Sequence, residues 1–411
     1  MKLPEGWKST RLGQLAEVRT GLSKSSNRGG ECIKLPYLRV ANVQDGYLSL
    51  DDIQTIPVPS ESIDRYLLKR GDLLMVEGNG NPANLGRGCL WKAAIDPCVH
   101  QNHIFCVRPD KNVIHDEFLS MWMQSNAIKA HLLEGAKGST GLASLNSTQI
   151  GSIPIYYPPL PEQKAIADTL STWDSAITTM ERLIAAKEFS FRHLRSQVIH
   201  QVAKSSATLS PLNRAFQPLT RKNTVGEANV LTTSAQRGLV SQQTYFSKSV
   251  ASENLEGYFL VERGDFAYNR SSSNGYPYGA IKRLDDSERG VLSTLNICLS
   301  LTDSDKQNSD YFVHVFEAGY LNRGFSQICQ EGARSHGLLN VSREDFFNLE
   351  IPIPDKATQD RIADKLNLVQ SEIALMRKQL ELLKRQKRGL MQKLLTGNWR
   401  VPLNSNPMEG T

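Results

Sequence analysis

The sequence predicts a mixed α/β (α+β) protein with two globular domains separated by two long helices. The helices are expected to pack antiparallel on each other as an intramolecular coiled coil with pseudo-twofold symmetry. Three observations predict this fold class: an internal duplication, an apolar heptad pattern after each copy, and a proline-containing segment before each pattern. Together they predict the order globule, helix, globule, helix along the chain.

The two halves of the chain carry the same signals in the same order. The segment Gln163–Leu170 matches Gln359–Leu366 at an offset of 359 − 163 = 196 residues. Chance similarity explains one match of this kind, but not a collinear set. Three further pairs lie upstream: Ile153-Pro154-Ile155 with Ile351-Pro352-Ile353, Leu145-Asn146 with Leu339-Asn340, and Lys69-Arg70-Gly71-Asp72 with Glu262-Arg263-Gly264-Asp265.

A long helix is predicted after each copy, because apolar residues recur in alternating steps of four and three. The offset of 196 residues is a whole number of heptads, so both helices keep one register. Each helix begins where Pro158-Pro159-Leu160-Pro161 or Pro352-Ile353-Pro354 ends the preceding domain. The predicted seam comprises Ile166, Leu170, Trp173, Ile177, Met180, Ile184, Ile362, Leu366, Val369, Ile373, Met376, Leu380 and Leu383.

A heptad pattern is also typical of an ordinary bundle helix or a homodimer zipper. The duplication favours pairing of the two copies within one chain, and a twofold relation between them requires antiparallel packing. The predicted boundaries are 1–158 for the first globular domain, 159–203 for the first helix, 204–354 for the second domain, 355–397 for the second helix and 398–411 for a tail.

The globular halves are predicted to be mixed, because short β-rich runs are followed by an amphipathic helix. The first half has Tyr37–Val40, Asp72–Val76 and Ile104–Val107 and a helix near Glu117 to Leu133. The second half has Phe266–Tyr268, Leu295–Leu299 and a helix near Tyr311 to Ile328.

Composition indicates the compartment and permits a polyanionic partner. The net charge is +6 and the pI is near 8.9, which is compatible with nucleic acid without requiring it. The first residues have no apolar signal region, and no run of about 18 apolar residues occurs. Six sparse cysteines favour reduced thiols, so we expect a cytoplasmic protein.

Catalytic and cofactor motifs are missing from the sequence. The segment Gly78-Asn79-Gly80-Asn81-Pro82 lacks the third glycine of a dinucleotide loop and has a proline where a helix must start. Asn81-Pro82-Ala83-Asn84 is similar to the Asn-Pro-Pro-aromatic motif of amino-methyltransferases, but lacks the aromatic residue. We therefore expect a non-catalytic chain with no cofactor of its own.

Cys98, His100, His103 and Cys106 are close enough in sequence to suggest a metal site. At the offset 264 − 71 = 193, the second half has Val291, Ser293, Asn296 and Leu299 at the matching positions. Since this second set cannot hold a metal, we interpret the first as strand residues and expect no metal.

Loop side chains with paired hydrogen-bonding groups are the best candidates for ligand contact. Asn, Gln and Arg match adenine and guanine edges in the major groove, and Lys, Ser and Thr suit phosphates. Any one of them is compatible with a solvated loop, but the recurring set indicates a DNA-binding face. The candidates are Arg39, Asn42, Asn79, Asn81, Asn84, Arg87, Gln101, Asn102, Lys137, Ser139, Thr140, Gln236, Arg237, Asn269, Arg270, Ser271, Ser272, Asn274, Arg334 and His336.

Four segments together resemble the specificity subunit of type I restriction-modification systems, over nearly the whole chain. The most specific is the entry into the first helix, Pro159-Leu160-Pro161-Glu162-Gln163; the second copy keeps Gln359 but loses the Leu-Pro-Glu core. The other three are Pro4-Glu5-Gly6-Trp7-Lys8, Tyr37-Leu38-Arg39-Val40-Ala41-Asn42-Val43 and Gly71-Asp72-Leu73-Leu74.

The resemblance implies a function and a set of partners. Each globular domain would be a target recognition domain that reads one half of a bipartite, asymmetric site on double-stranded DNA. The paired helices would set the unread spacer. Two methyltransferase subunits would methylate adenine with S-adenosylmethionine, and two translocase-nuclease subunits would use ATP and Mg²⁺.

Two functions of other classes are alternatives. One is a DNA methyltransferase with a fused recognition domain, which the missing cofactor motifs disfavour. The other is a coiled-coil scaffold that binds only proteins. Binding of a labelled cofactor would identify the first, and salt-sensitive retention of random duplex DNA would exclude the second.

Overall fold

The computed structural model describes residues 3–23, 31–78, 85–136, 144–205, 209–245, 254–331 and 339–403. The chain divides into two compact units, which we call unit 1 (residues 1–180 and 379–411) and unit 2 (residues 181–378). The division falls inside both long helices, so each unit contains a globular part and a stretch of each helix. The predicted class, two mixed α/β domains with long helices, is confirmed.

Unit 1 combines short strands with short helices. Its strands are β1 (Lys8–Arg11), β2 (Ala16–Thr20), β3 (Cys32–Leu38), β4 (Gln54–Pro59), β5 (Leu73–Val76), β6 (Gly88–Leu90), β7 (Val99–His100), β8 (Ile104–Pro109) and β9 (Pro154–Tyr157). Its helices are α1 (Ile63–Tyr66), α2 (Asp116–Met123), α3 (Asn126–Ala136) and α4 (Ser147–Gly151), followed by the first long helix, α5 (Leu160–Ser205).

Unit 2 repeats this composition. Its strands are β10 (Leu209–Pro211), β11 (Phe216–Pro218), β12 (Leu231–Ser234), β13 (Gly238–Ser241), β14 (Phe259–Glu262), β15 (Phe266–Asn269), β16 (Ala280–Arg283), β17 (Arg289–Leu292), β18 (Ile297–Leu301), β19 (Gln330–Glu331), β20 (Leu339–Asn340) and β21 (Glu350–Pro352). Its helices are α6 (Gln242–Tyr245), α7 (Ser309–Glu317), α8 (Asn322–Ile328) and α9 (Arg343–Phe347), followed by the second long helix, α10 (Lys356–Leu395).

The duplication extends to sheet topology. Unit 1 contains an antiparallel sheet in the order β2-β8-β5-β6, and unit 2 contains the equivalent sheet β11-β18-β15-β16. The pairs β1-β9 and β10-β21 also correspond. The remaining strands differ, since unit 1 has β4-β3-β7 whereas unit 2 has β12-β13, β14-β17 and β19-β20. The framework sheet is therefore repeated in both units, whereas the other strands are arranged differently.

The central strand of each framework sheet is buried on both faces, which explains its continuous apolar sequence. In unit 1, Leu73 and Met75 pack into the core shared with the long helices, while Leu74 and Val76 pack into a second core on the other face. In unit 2, Phe266 and Tyr268 face the helical core and Ala267 faces the second one. Burial on both faces holds each strand rigidly.

The repeated Arg-Gly-Asp segment forms the same turn before both central strands. Asp72 Oδ2 accepts the backbone N–H of Lys69 at 2.7 Å, and Asp265 Oδ2 accepts that of Glu262 at 2.8 Å. Gly71 and Gly264 have φ of +96° and +93°, a region that other residues rarely adopt. The repeat thus encodes a turn that starts β5 and β15 in the same way.

The long helices pair within each unit. In unit 1, Asp174 of α5 pairs with Lys387 of α10. In unit 2, Glu188 of α5 accepts hydrogen bonds from Arg377 of α10 at 2.6 and 2.9 Å. In unit 1 the early part of α5 pairs with the late part of α10, and in unit 2 the late part of α5 pairs with the early part of α10. The two helices therefore pair in antiparallel orientation.

No helix in the described ranges is long and apolar enough to span a membrane.

The predicted seam residues are all shielded from solvent to some degree. Half-buried members are Trp173, Met180, Val369, Met376 and Leu383. The buried members are Ile166, Leu170, Ile177, Ile184, Ile362, Leu366, Ile373 and Leu380. Several of these also belong to the cores of the globular parts, so the seam serves two packing roles.

The prediction of a single amphipathic helix in each half is wrong, because the structure has two helices in each of these segments. In unit 2 the break follows α7, where Gly319 has φ of +71°, a conformation that cannot continue a right-handed helix. In unit 1, Ser125 N donates to Trp122 O at 3.0 Å and closes α2 before α3 begins. The apolar periodicity is shared across each break, so it did not reveal the turn.

Candidate nucleic-acid interface

The candidate DNA-binding residues of unit 1 lie where the loops after three strands meet. A short turn at residues 40–42 follows β3, and the turn at residues 101–103 joins β7 to β8. Gln101 Oε1 accepts the backbone N–H of Val40 at 3.2 Å, and Arg87 donates to Val40 O at 2.9 Å. Two predicted side chains therefore converge on the backbone of one residue, Val40. We call residues 39–42, 77, 87 and 101–103 loop cluster 1.

Asn42 does not present its amide at the surface of this cluster, in contrast to the prediction. Its side chain is 3% exposed. Nδ2 donates to Ser49 O and Asp52 O at 2.9 and 3.0 Å, and Oδ1 accepts from Arg39 N at 2.8 Å. A buried amide must find such partners, so the role the structure shows for Asn42 is to hold the loop.

Arg39 also binds within the loop. Its Nη2 donates to the carboxylate of Asp52 at 2.6 Å and to the carbonyl of the same residue at 3.0 Å. Asn102 follows Gln101 and is half-buried, and its backbone N–H donates to Leu22 O at 2.9 Å. Arg39 thus helps to order the cluster, and Asn102 lies on its edge.

In unit 2 three loops join at the equivalent end of the framework sheet. Gln236, in the turn between β12 and β13, donates to Asn274 O at 3.0 Å. Asn269 Nδ2 donates to Thr233 O at 3.0 Å, and its Oδ1 accepts from Ser271 N at 3.0 Å. We call residues 234–238, 269–274 and 293–296 loop cluster 2.

Arg270 links the remaining loop to this cluster. Its Nε and Nη2 donate to Leu295 O at 3.0 and 2.8 Å. Arg237, Ser271, Ser272 and Asn274 are exposed on the same cluster. Cluster 2 therefore combines a guanidinium group, amides and hydroxyls on loops that hold one another, which is the chemistry that base edges and phosphates require.

An ion pair holds the turn before the central strand of each framework sheet. In unit 1, Arg108 of β8 makes a bidentate contact with Asp72, at 2.8 and 2.7 Å, and this hydrogen bonding raises the pKa of the Arg108 guanidinium. In unit 2, Arg221 bonds to Asp265, and burial is the main cause of a raised pKa of that carboxyl group. The matched aspartates are thus anchored by arginines from different strands or loops.

Comparison with known proteins shows which proteins this chain resembles. Residues 4–187 match the family model of the type I restriction modification DNA specificity domain. The chain is 24% identical, over 97% of its length and 95% of the relative's, to a protein of Methanocaldococcus jannaschii described as the MjaX specificity subunit of a type I restriction enzyme. The chain is therefore similar to type I specificity subunits, and residues 4–187 carry the match to their family model.

Two solved structures have the same fold. The HsdS subunit of Thermoanaerobacter tengcongensis superimposes with a TM-score of 0.54 at 18% identity, covering 97% of this chain and 99% of that one. A chain from a structure of a type I R-M system gives a TM-score of 0.61 at 16% identity, covering 97% and 100%. The likeness in fold therefore extends over both units.

Of the four residues considered as a metal site, His100 and Cys106 lie in strands β7 and β8, whereas Cys98 precedes β7 and His103 lies in the turn between the strands, so the interpretation as strand residues is right for two of the four. Burial raises the pKa of the Cys89 and Cys98 thiols to about 12 and lowers that of His100 to about 4. Among the described residues, no three His, Cys, Asp or Glu side chains form a group that could hold a metal. All six cysteines are free.

The sequence offset of 193 residues matched Cys106 to Leu299, and this match is wrong by one residue. Cys106 lies opposite Leu74, and the equivalent pair in unit 2 is Cys298 with Ala267. The offset between β8 and β18 is therefore 298 − 106 = 192 residues, so Cys106 matches Cys298 and not Leu299. A shift of one residue reverses the face of a strand, which sequence matching at a single offset did not detect.

Glu77 and His103 are candidate residues that sequence analysis did not select for DNA contact. Glu77 Oε2 lies 2.6 Å from His103 Nδ1, and Ser144 Oγ donates to Glu77 Oε1 at 3.4 Å. Asn, Gln and Arg match base edges by residue type, whereas an acidic acceptor such as Glu77 is typical of any solvated loop. The signal available in the sequence was position, because Glu77 directly follows the buried strand β5.

Seven predicted contact residues lie outside the described residues, and so does Thr140. The seven are Asn79, Asn81, Asn84, Lys137, Ser139, Arg334 and His336. They stay predictions.

Proposed function

We propose that this chain reads a bipartite DNA sequence for a type I restriction-modification complex, with one half-site contacted by each unit. The observation that carries this proposal is that loop clusters 1 and 2 occupy the same end of equivalent framework sheets but carry different side chains. A repeated scaffold with different loop chemistry is what two unlike half-sites require. The match of residues 4–187 to the specificity-domain family model supports the same conclusion.

The side chains of both clusters suit direct readout. Arginine, asparagine and glutamine present pairs of groups that distinguish bases in the major groove. Here they are fixed by bonds between loops, as Gln101 with Val40 and Gln236 with Asn274 show. Such fixed groups lose little conformational freedom on binding. The net charge of +6 favours attraction to the phosphate backbone.

We propose that α5 and α10 set the spacer between the half-sites. The helices have 46 and 40 residues, and 46 residues correspond to about 69 Å at the usual rise. Paired helices resist bending better than a loop, so they suit a spacer that keeps both distance and rotational phase along a duplex. The ion pairs Asp174–Lys387 and Glu188–Arg377 support this role.

We infer that chemistry belongs to partner subunits in the cytoplasm. Two methyltransferase subunits would bind S-adenosylmethionine and methylate adenine, and two translocase-nuclease subunits would use ATP and Mg²⁺. The sequence carries no phosphate-binding loop or methyltransferase motif, which supports a non-catalytic role. Methylation or cleavage by the purified single chain would contradict it.

The primary test is sequence-specific binding by the full chain. The chain is incubated with a randomised duplex library, and retained DNA is sequenced at low and raised salt. We expect two short conserved blocks separated by an unread spacer of constant length. A chain that retains no duplex DNA at low salt is a protein-only scaffold, and a chain that retains labelled S-adenosylmethionine is a fused methyltransferase.

A domain exchange tests the assignment of half-sites. Replacing residues 20–150 by the equivalent segment of a relative should change one block and leave the other intact, because loop cluster 1 lies within that segment. Exchange of residues 220–345 is the matched experiment for loop cluster 2. A change of both blocks by either exchange would contradict independent reading.

A further inference from the structure

Two positions in each unit are equivalent, yet they carry side chains of opposite hydrogen-bonding character. The first position directly follows the central strand and is Glu77 in unit 1 and Arg270 in unit 2. Its backbone contact is the same in both units, because Leu145 N donates to Glu77 O at 2.7 Å and Leu339 N donates to Arg270 O at 2.9 Å. The equivalence therefore rests on geometry rather than on sequence similarity.

The second position lies opposite the first on the neighbouring strand. In unit 1 the register Val76 with Ile104 continues to Glu77 with His103, whose carbonyl accepts the N–H of Glu77 at 2.9 Å. In unit 2 the register Tyr268 with Ile297 continues to Arg270 with Leu295. The Arg270 side chain, rather than its backbone, bonds to the Leu295 carbonyl.

Both second-position side chains extend into solvent, although only one of them is polar. The His103 side chain is 56% exposed and Leu295 is 67% exposed. An apolar side chain this exposed at the tip of a polar loop contributes no hydrophobic stabilisation in the free protein. It contributes such stabilisation when it contacts an apolar group of a ligand, and in the major groove that group is the thymine methyl.

The unit 1 pair presents acceptors. The Glu77 carboxylate lies 2.6 Å from His103 Nδ1 and accepts from Ser144 Oγ at 3.4 Å, and its two oxygens have further lone pairs that can accept from a base. The unit 2 pair presents donors, since Arg270 uses Nε and Nη2 for Leu295 O and Nη1 bonds to none of the residues that the structure describes. Acceptors match the exocyclic amino groups of cytosine and adenine, and arginine matches guanine O6 and N7.

We propose that these matched pairs determine specificity. Glu77 with His103 selects a base with an exocyclic amino group in the first half-site, and Arg270 with Leu295 selects a guanine beside a thymine in the second. This inference rests on the proposed DNA-reading function. It goes further by naming the positions at which the two domains differ and the class of base that each pair accepts.

The test compares base preferences of the full chain and its variants on a randomised duplex library. Glu77→Arg gives unit 1 the donor of unit 2, and we expect one position of one block to change from cytosine or adenine to guanine. Arg270→Ala should reduce discrimination for guanine at one position of the other block by roughly tenfold or more. In each variant, the block read by the unit without the substitution should keep the bases that the unmodified chain prefers.

Two control variants have matched charge changes away from the loop clusters. Glu61→Arg alters an exposed residue of unit 1 before β5, and Arg263→Ala removes an exposed arginine at the opposite end of β15 from Arg270. Neither should change a preferred base. The two test variants lie in different units, so a folding defect in one, seen in its thermal unfolding, leaves the other to decide.

The outcomes separate this inference from the function on which it rests. If the unmodified chain selects no conserved block, the proposed DNA reading fails. If it selects two blocks and a folded Glu77→Arg or Arg270→Ala variant selects the same bases with the same discrimination, the specificity assignment is overturned. A change in both blocks from either single variant also overturns it.

Discussion

Gln163 and Gln359 make corresponding hydrogen bonds at the start of the two long helices, 196 residues apart. The amide oxygen of Gln163 accepts from His115 N at 2.7 Å, and that of Gln359 accepts from Asn308 N at 2.8 Å. Each Nε2 donates to the carbonyl five residues earlier, Pro158 or Pro354, at 2.8 Å. One side chain thus ties the helix start to the N-terminus of α2 or α7.

Replacing either glutamine by alanine should destabilise its own unit. Both side chains are almost fully buried, so removal leaves backbone groups without partners, at a cost of about 1–3 kcal/mol. All five tryptophans (Trp7, Trp91, Trp122, Trp173 and Trp399) belong to unit 1. Their emission during urea unfolding should therefore report Gln163→Ala, whereas circular dichroism alone should report Gln359→Ala. The control is Gln370→Ala at an exposed position of α10.

Unit 2 should lose stability in acid through His314. This residue is 1% exposed, and burial is the main cause of a pKa lowered to about 4. Asn367 bonds to its Nε2 at 3.0 Å, and Arg195, Asp310 and Glu317 are the nearby charged groups. The unfolded chain takes up a proton near pH 6.5 and the folded chain only near pH 4, so stability is full above about 6.5 and falls between these values.

The measurement for His314 is the free energy of unfolding from pH 7 to pH 4. We expect a loss of up to roughly 3 kcal/mol from this group, and a shallower slope in His314→Gln. The control His193→Gln changes an exposed histidine of α5. Equal slopes in all three proteins would show that His314 is not the titrating group.

A charge in the helix seam should destabilise unit 1. Ile177 is 9% exposed, and Ile177→Asp places a carboxylate in an apolar contact, with an expected cost of about 3 kcal/mol or more. The neighbouring Thr178→Asp introduces the same charge at an exposed position. Tryptophan emission in urea should separate the two variants, and similar midpoints would mean that residue 177 does not face its partner helix.

The ion pairs between the helices should contribute less than the seam. Asp174 and Lys387 are partly exposed, and such pairs usually contribute about 0.2–1 kcal/mol. A double-mutant cycle with Asp174→Ala and Lys387→Ala should give a coupling energy in this range that decreases in 1 M salt. A coupling above 2 kcal/mol would assign the pair a larger role in antiparallel register.

Shortening both long helices by one heptad should change the preferred DNA spacer. Deletion of residues 181–187 from α5 and 374–380 from α10 keeps the heptad register of both and removes roughly 10 Å of helix. We expect a spacer shorter by about three base pairs with both half-site sequences unchanged, as read from a duplex library. A folded variant that still selects the original spacing would exclude the helices as the spacer-setting element.

The sequence by itself determined the repeated features, because each depends on residues close together in the chain. Heptad spacing predicted α5 and α10, and Arg70-Gly71-Asp72 with Arg263-Gly264-Asp265 marked the same turn twice. Helix periodicity and a left-handed glycine are local properties. The family resemblance was also visible here, since its motifs lie at these turns and helix starts.

Only the tertiary structure decided which polar side chains face outward. Asn42 has the residue type of a base contact but is buried by bonds to Ser49 and Asp52, whereas Glu77 and His103 meet from loops 26 residues apart. The contact of Arg270 with the Leu295 carbonyl likewise joins two distant loops. Contacts between distant segments depend on strand register and loop packing, which residue types and spacing along one chain do not specify.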